Sequence, residues 1–379
     1  MIPTRFRNRE DRVDIVIDIR YSCRQSRRVS RTVSSANDEP AVPMDVFVIR
    51  FSSLGDCVLL CPLLERLKQA CGGEVVVLTK RAYADLFAAA RGVNRVVAID
   101  EGSTMRDLVR IADEWRARGV MVIDAHASWR SRVVAARMGG AAARIEKHTG
   151  SRLQLIVFKR NVALPTMLER YAKLGAVAGA GTAPLAPGGL RIDPELDRRA
   201  EHAMRGDTPF VAVAPGSRWP SKRWPGYAAV CATLAESAVR ILLVGDDRDR
   251  VAAAPIAGAL QDRCVDLTGR APLMETAAHL ARCRAFLGND SGLMHLAEAV
   301  GVPVVGLFGP TVREFGYFPS LPRSRTIERR LACRPCSRNG ATPCPKGTVE
   351  CLRRIPPHAV VDALTTLFDE SAPRRIVLE

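Results

Sequence analysis

The sequence predicts two doubly wound α/β domains that face one another. Three observations predict it. From Met44 onward, short apolar β-branched runs alternate with stretches whose apolar residues recur at helical spacing. The alternation occurs twice, on either side of residues 179–189, which are rich in Gly, Ala and Pro and read as a linker. The 379 residues, 47% apolar and 25% charged, are enough for two ordinary cores.

Residues 1–43 stand apart from this pattern. Nine arginines fall between Arg5 and Arg31, and Ser-rich polar sequence follows to Pro40. The run 13–19 suits a short strand, but nothing else here builds a core. The segment reads as a disordered basic extension, or as upstream sequence translated from a misplaced start. A nucleic-acid-binding arm is the alternative. Met44 leads at once into an apolar strand run, so the first domain is set at 44–180. It holds the runs 46–49, 75–78, 96–99 and 120–123, with Leu59, Leu63, Leu64 and Leu67 marking the helix after the first. Residues 181–206 connect to a second domain at 207–357, with runs at 210–214, 241–244, 285–287 and 303–308. Residues 358–379 are expected to form a helix and tail packing back toward the first domain.

The net charge of +16 favours an acidic partner: nucleic acid, an anionic membrane surface or a phosphorylated substrate. No apolar run reaches the roughly 18 residues of a membrane span. No basic n-region precedes an apolar h-region at the start, so no secretory signal is expected. Eleven cysteines are too dilute for a disulfide scaffold and suit a reducing cytoplasm.

In doubly wound sheets, ligands sit at the carboxyl ends of strands. Three motifs lie there. Arg50-Phe51-Ser52-Ser53-Leu54-Gly55-Asp56 follows the first strand. Asp56 opens a helix, either as a simple cap or as a carboxylate in the interdomain cleft able to accept a hydroxyl proton. The block from Pro215 to Pro225 contains Gly216, Ser217, Lys222 and Arg223. A small-residue turn followed by hydroxyl and cationic groups suits a phosphate, and solvated surface cations are the alternative. The third motif, Gly288-Asn289-Asp290-Ser291-Gly292-Leu293-Met294-His295, follows the run 285–287. Its free N–H groups and helix dipole suit a pyrophosphate, with His295 within one turn.

Two further clusters stand out. Residues 129–160 carry eight Lys or Arg, including Arg130 and Arg132, against the single acid Glu146. Such a stretch either grips phosphates and carboxylates or is a solvated face. Cys333, Cys336, Cys344 and Cys351 lie close in sequence with prolines between them. They suit a tetrahedral structural zinc site or a local thiol cluster. The other cysteines after Met44 sit in apolar or helical contexts, where small buried thiols are the default.

Taken in order, these blocks resemble the heptosyltransferases, glycosyltransferase family nine. The resemblance runs from Met44 to about Leu367. It includes Ser52-Ser53-Leu54-Gly55-Asp56, Cys61-Pro62, Asp124-Ala125-His126, the Pro-Gly-Ser block with Lys222-Arg223-Trp224-Pro225, Asp290-Ser291-Gly292 with His295, and Gly306-Leu307-Phe308-Gly309-Pro310-Thr311. It implies a GT-B fold of two Rossmann-like domains, and inverting transfer of a heptose from a nucleotide sugar, commonly ADP-heptose, to lipopolysaccharide inner core. No catalytic metal is implied. Asp56 matches the proposed general base, and Lys222 the cation on the donor diphosphate. Ser217, Asp290, Ser291, Gly292 and His295 match donor contacts, and Asp249 falls near the acid expected on the ribose. Asp247-Arg248-Asp249 also has the D-x-D form of metal-dependent transferases, a reading that the surrounding pattern disfavours. Gly55, Arg130 and Arg132 are expected at an acidic, lipid-linked saccharide acceptor, which places the enzyme in the cytoplasm or peripherally on the inner membrane.

Two rivals remain at this level. A Rossmann oxidoreductase accounts for the alternation, but no G-x-G-x-x-G follows a strand. A nucleic-acid-binding α/β protein accounts for the charge, but aromatics are only 5% and no reader motif is present. No nucleic-acid partner is therefore expected.

Overall fold

The computed structural model of the protein describes residues 16–18, 43–160, 162–237, 239–368 and 375–378. The strands are β1 (Val16–Asp18), β2 (Met44–Ile49), β3 (Gly72–Lys80), β4 (Arg95–Ile99), β5 (Met121–Asp124), β6 (Ala143–Arg144), β7 (Phe210–Ala214), β8 (Arg240–Leu243), β9 (Cys264–Asp266), β10 (Ala285–Asn289), β11 (Val304–Phe308), β12 (Arg325–Arg329) and β13 (Arg375–Leu378). They form two sheets, ordered β1-β4-β3-β2-β5-β6 and β13-β12-β11-β10-β7-β8-β9. All ladders are parallel except β1 on β4, which is antiparallel.

Apart from the edge strand β1, the chain in each sheet starts in the middle, winds to one side, then returns to the other. The order reverses between β2 and β5 in the first sheet, and between β7 and β10 in the second. Such reversals leave a crevice at the strands' carboxyl ends.

Alternate strand residues point to opposite faces, and both faces are buried. Phe47 and Ile49 pack with Ile111 and Trp115 on the outer face of the first sheet. Val211 and Val213 pack with Tyr227, Val230 and Ile256 on the outer face of the second. The inner faces merge into one core that includes Val46, Val48, Leu60, Leu63, Ala212, Met294 and Leu296. Two helices meet inside it: Leu54–Cys71, which follows β2, and Gly292–Ala299, which follows β10.

Two expectations are corrected. Val360, Ala363, Leu364 and Leu367, on and just after the helix Pro357–Thr365, lie in the second sheet's outer core against Tyr227 and Val230. That helix therefore belongs to the second domain and does not return to the first, because its apolar face matches the helix Tyr227–Glu236. Second, the basic extension is not wholly disordered: residues 16–18, inside the run 13–19 that suits a short strand, pair with β4 as an edge strand. The rest of that extension lies outside the described residues.

β12 was not expected as a strand. Its sequence, Arg-Thr-Ile-Glu-Arg, is polar, yet Arg325, Thr326 and Glu328 are buried. Glu328 is paired with Arg334 at 2.9 Å, which makes its burial tolerable. An apolar-run criterion cannot see such a strand.

Candidate active site

Each crevice holds a largely buried aspartate bound to a buried cation. In the first domain, β2 hands over to Arg50, which is 6% exposed. Its Nη1 donates to the Ala125 carbonyl beyond β5 at 2.5 Å, spanning the reversal point. Its Nη2 meets Asp56 Oδ2 at 2.5 Å. Asp56 stands in the first helical turn, where a negative charge suits the helix dipole. The N-cap residue Ser53 donates to Oδ2 from its hydroxyl at 2.9 Å and from its N–H at 3.4 Å. Tyr317, from the second domain, donates its hydroxyl to Oδ1 at 2.9 Å. Burial alone would raise the Asp56 carboxyl. Arg50 and the hydrogen bonds from Ser53 and Tyr317 outweigh that, so it lies below the ordinary carboxylate range. Cap and cleft carboxylate are thus not alternatives, because one side chain does both.

The second domain builds its pair from distant segments. The Asn289 amide donates to the Gly216 carbonyl at 3.0 Å and ties β10 to the turn after β7. Lys222, in the short turn Pro220–Lys222, donates from Nζ to Asp290 Oδ2 at 2.6 Å and to the Asp290 carbonyl at 3.3 Å. Thr311 donates to the same Oδ2 at 2.7 Å. Burial raises the Asp290 carboxyl, but Lys222 and Thr311 bring it below the ordinary range. Gly340 covers the Lys222 stem. Its φ of +88° suits glycine, and a Cβ there would stand 2.8 Å from Lys222 Cε.

Between the two pairs lies a cavity of about 760 Å³, lined by both domains. Asp56, Gly55, Ser217, Lys222, Asp249, Asp290, Ser291 and Gly292 all face it. Asp249 accepts from the Asp246 N–H at 3.1 Å and crowds Gly216, where a Cβ would lie 1.9 Å from Asp249 Oδ1. Burial raises the Asp249 carboxyl. Ser291 Oγ is buried beside the helix start without a hydrogen-bond partner.

Three expected site residues are placed differently. His295 does not line the cavity. A Cβ on Gly292 would stand 2.7 Å from Leu54 Cβ, and one on Gly55 would stand 2.9 Å from His295 Cδ2. Residues three apart share a helix face, so the face that brings Gly292 to Leu54 also brings His295 to Gly55. His295 is 3% exposed, and burial pushes it down to about 4, leaving it neutral. Arg130 is spent on the Ser103 carbonyl at 2.6 Å and lines neither cavity described here. Arg132 faces a separate cavity of about 480 Å³ with Arg144 and Lys147. Arg144 is in turn held by buried Asp124 at 3.0 Å.

The cysteine expectation is also corrected. Cys333, Cys336, Cys344 and Cys351 are free thiols, near enough for their charges to interact. Among the described residues, however, no three His, Cys, Asp or Glu are grouped to hold a metal ion. The structural zinc reading therefore has no support. Cys351 is 6% exposed, and burial pushes its thiol up to about 11, so it packs as a small apolar group.

Sequence reasoning missed Thr311, Tyr317 and Arg338 at this cavity, and Arg50, which holds Asp56. Arg50 and Thr311 lay inside motifs already singled out. Tyr317 and Arg338 carried no local signal.

Comparison with known proteins gives the family and the fold. Residues 116–345 match the family described as Glycosyltransferase family 9 (heptosyltransferase). The chain is 32% identical over 184 residues to lipooligosaccharide heptosyltransferase 2 of Haemophilus influenzae, covering 44% of this chain and 53% of that one. It is 30% identical over 224 residues to lipopolysaccharide heptosyltransferase 2 of Salmonella typhimurium, covering 55% and 63%. These matches span little more than half the length of the relatives. The solved structure of E. coli ADP-heptose lps heptosyltransferase II superposes with a TM-score of 0.68 at 24% identity, covering 86% and 98%. E. coli heptosyltransferase WaaC with ADP-2-deoxy-2-fluoro heptose superposes at 0.60 and 19%, covering 87% and 100%. The fold is GT-B, and neither the oxidoreductase nor the nucleic-acid reading finds support. By its sequence match over more than half its length, the chain belongs to glycosyltransferase family 9, the heptosyltransferase family.

Proposed function

We propose that the protein is an inverting, metal-independent glycosyltransferase that moves a heptose from ADP-heptose to a hydroxyl of lipopolysaccharide inner core. One observation carries this reading: an ionised carboxylate of one domain and a buried lysine beside a helix start of the other line a single cavity. Lys222 and the N–H groups after Ser291 take up the charge that grows on the departing diphosphate. Asp290 holds Lys222 in place beside the helix start. Asp249 and Ser217 hold the nucleoside end. Asp56 accepts the proton of the attacking hydroxyl. It is a weak base, which suits a proton that leaves late, once the oxygen is bonding to the anomeric carbon and has become acidic. Gly55 lets the acceptor approach.

The donor is supported by the ADP-heptose analogue named with the WaaC neighbour. An acidic acceptor is supported by the cavity of Arg132, Arg144 and Lys147. Contact with the cytoplasmic face of the inner membrane is supported by exposed Leu153, Val157 and Phe158 beside Lys159 and Arg160. Among the described residues no helix is long and apolar enough to cross a membrane.

The test is purified protein with ADP-heptose and lipid core extracted from a heptose-deficient strain. Release of ADP together with a core product heavier by one heptose residue is expected. Hydrolysis without transfer, or transfer only from another nucleotide sugar, overturns the donor and acceptor named here.

A further inference from the structure

Asp56 is completed by a residue of the opposite domain. Its Oδ2 is occupied by Arg50 and Ser53, both from its own segment. Its Oδ1 has one partner among the described contacts, the Tyr317 hydroxyl, 261 residues away. A carboxylate oxygen accepts about two hydrogen bonds, so Oδ1 keeps room for one more donor.

Tyr317 is not a loose tip. It follows the short turn Arg313–Phe315, which the first domain grips from several sides. The Met167 N–H donates to the Gly316 carbonyl at 2.9 Å. Arg152 donates to the Phe315 carbonyl at 3.1 Å, and its guanidinium stands 5.7 Å from the Tyr317 ring centre. Arg170 also donates to the Phe315 carbonyl, at 3.5 Å. The turn is thus part of the seam between the domains, and the tyrosine reports that seam to the carboxylate.

We propose that Tyr317 is a positioning residue for the transfer step: from the second domain it orients Asp56 and stabilises its charged form, so that the base is set only when the domains are together. The inference rests on the reading of Asp56 as base. Donation to the carboxylate favours the anion and fixes the plane of the carboxyl group. The remaining capacity of Oδ1 is then offered to the acceptor hydroxyl. Loss of the phenol O–H leaves Arg50 to hold one edge while the other swings.

The test compares wild type with Tyr317→Phe, which keeps the ring in the seam and removes only the donor. The Asp56 carboxyl is titrated by NMR in the free, full-length protein, its signal assigned by disappearance in Asp56→Asn. The groups facing it are Arg50, Ser53, Cys57, Tyr83, His126, Arg170, Tyr171, His295 and Tyr317. None of these except Tyr317 is altered, so a change in midpoint belongs to the lost hydrogen bond. The midpoint should rise by about one pH unit, the scale of one hydrogen bond to a charged group. With ADP-heptose and heptose-deficient core, kcat should fall about tenfold while the KM for ADP-heptose stays within about twofold. The acid limb of kcat should move up with the carboxyl.

An unchanged midpoint, or unchanged kcat, in Tyr317→Phe overturns the inference. So does a fall in thermal stability with both KM values raised and the acid limb unmoved, since that is the mark of a seam residue only. If Asp56→Asn itself turns over normally, the reading of the base fails and this inference fails with it. If Asp56→Asn is inactive and Tyr317→Phe behaves as wild type, only the inference fails.

Discussion

The two crevices hold the same pair with the roles exchanged. In the first domain, Arg50 is the holder and Asp56 faces the cavity. In the second, Asp290 is the holder and Lys222 faces the cavity. Both pairs are largely buried and both carboxyls lie below their ordinary range. What differs is the distance along the chain. Arg50 and Asp56 are six residues apart, joined through one strand end and one helix start. Lys222 and Asp290 are 68 residues apart and meet only because β7 and β10 are neighbours. A local pair is held by its own helix cap, whereas a pair spanning the sheet depends on the whole domain.

Substitution at the reacting members should separate the two halves most widely. Asp56→Ala should lower kcat by about two to four orders of magnitude with little change in calorimetric ADP-heptose binding. Normal turnover with earlier melting would make Asp56 only a cap, worth about 1 kcal/mol. Lys222→Ala should do the reverse in binding: weaker affinity for ADP and for ADP-heptose, with slower chemistry as well.

The holders sharpen the contrast further. Asp290→Asn strands a buried ammonium, and breaking such a pair costs about 3–5 kcal/mol. Its melting temperature should fall, and ADP should restore more stability to it than to wild type, because the diphosphate replaces the missing charge. Equal stabilisation by ADP in both would mean that Lys222 does not face the diphosphate.

A smaller effect is expected where the two helix starts touch. Gly292→Ala puts a methyl group 2.7 Å from Leu54 Cβ, and overpacking of this kind costs about 1–3 kcal/mol. Thermal unfolding should register it, and reversion toward wild type in Gly292→Ala combined with Leu54→Gly, which removes the Cβ as well as the rest of the side chain, would locate the cause.

The mildest prediction concerns pH. His295 is depressed to about 4 by burial. The unfolded chain takes up that proton near pH 6.5, whereas the folded protein does not until about 4. The His295 contribution to stability is therefore intact above about pH 6.5 and falls as pH drops from there toward 4. Asp56 and Asp290 act lower still: their contribution is present above the unfolded carboxylate value and is lost as pH falls through their folded values. His126 is depressed to about 4 in the same way, so a His295→Gln variant should flatten part of the loss between pH 6.5 and 4 and not all of it.

The sequence legibly carried the strand runs, because a strand buried on both faces must be apolar throughout. It carried the three turns after β2, β7 and β10, because glycines and polar residues there break the apolar pattern. It did not carry β12, whose buried Arg325, Thr326 and Glu328 look like surface. It misplaced His295, since proximity to an anion site along the chain does not say which helix face a residue takes. It also put Arg130 with the acceptor, although a surface arginine is equally able to satisfy a carbonyl such as that of Ser103.

Local chemistry by itself determined the two-domain α/β architecture, the helix start at Asp56, and the candidates Lys222, Asp290, Ser291 and Gly292. Those properties depend on residues within a few positions of each other, so they are written in the order of the chain. Only the tertiary structure decided who pairs with whom: Lys222 and Thr311 with Asp290, His295 with Gly55, and Tyr317 with Asp56. Each of these contacts joins segments that separate strands or separate domains bring together, and hydrogen bonds of about 3 Å form only once the sheets have set that spacing.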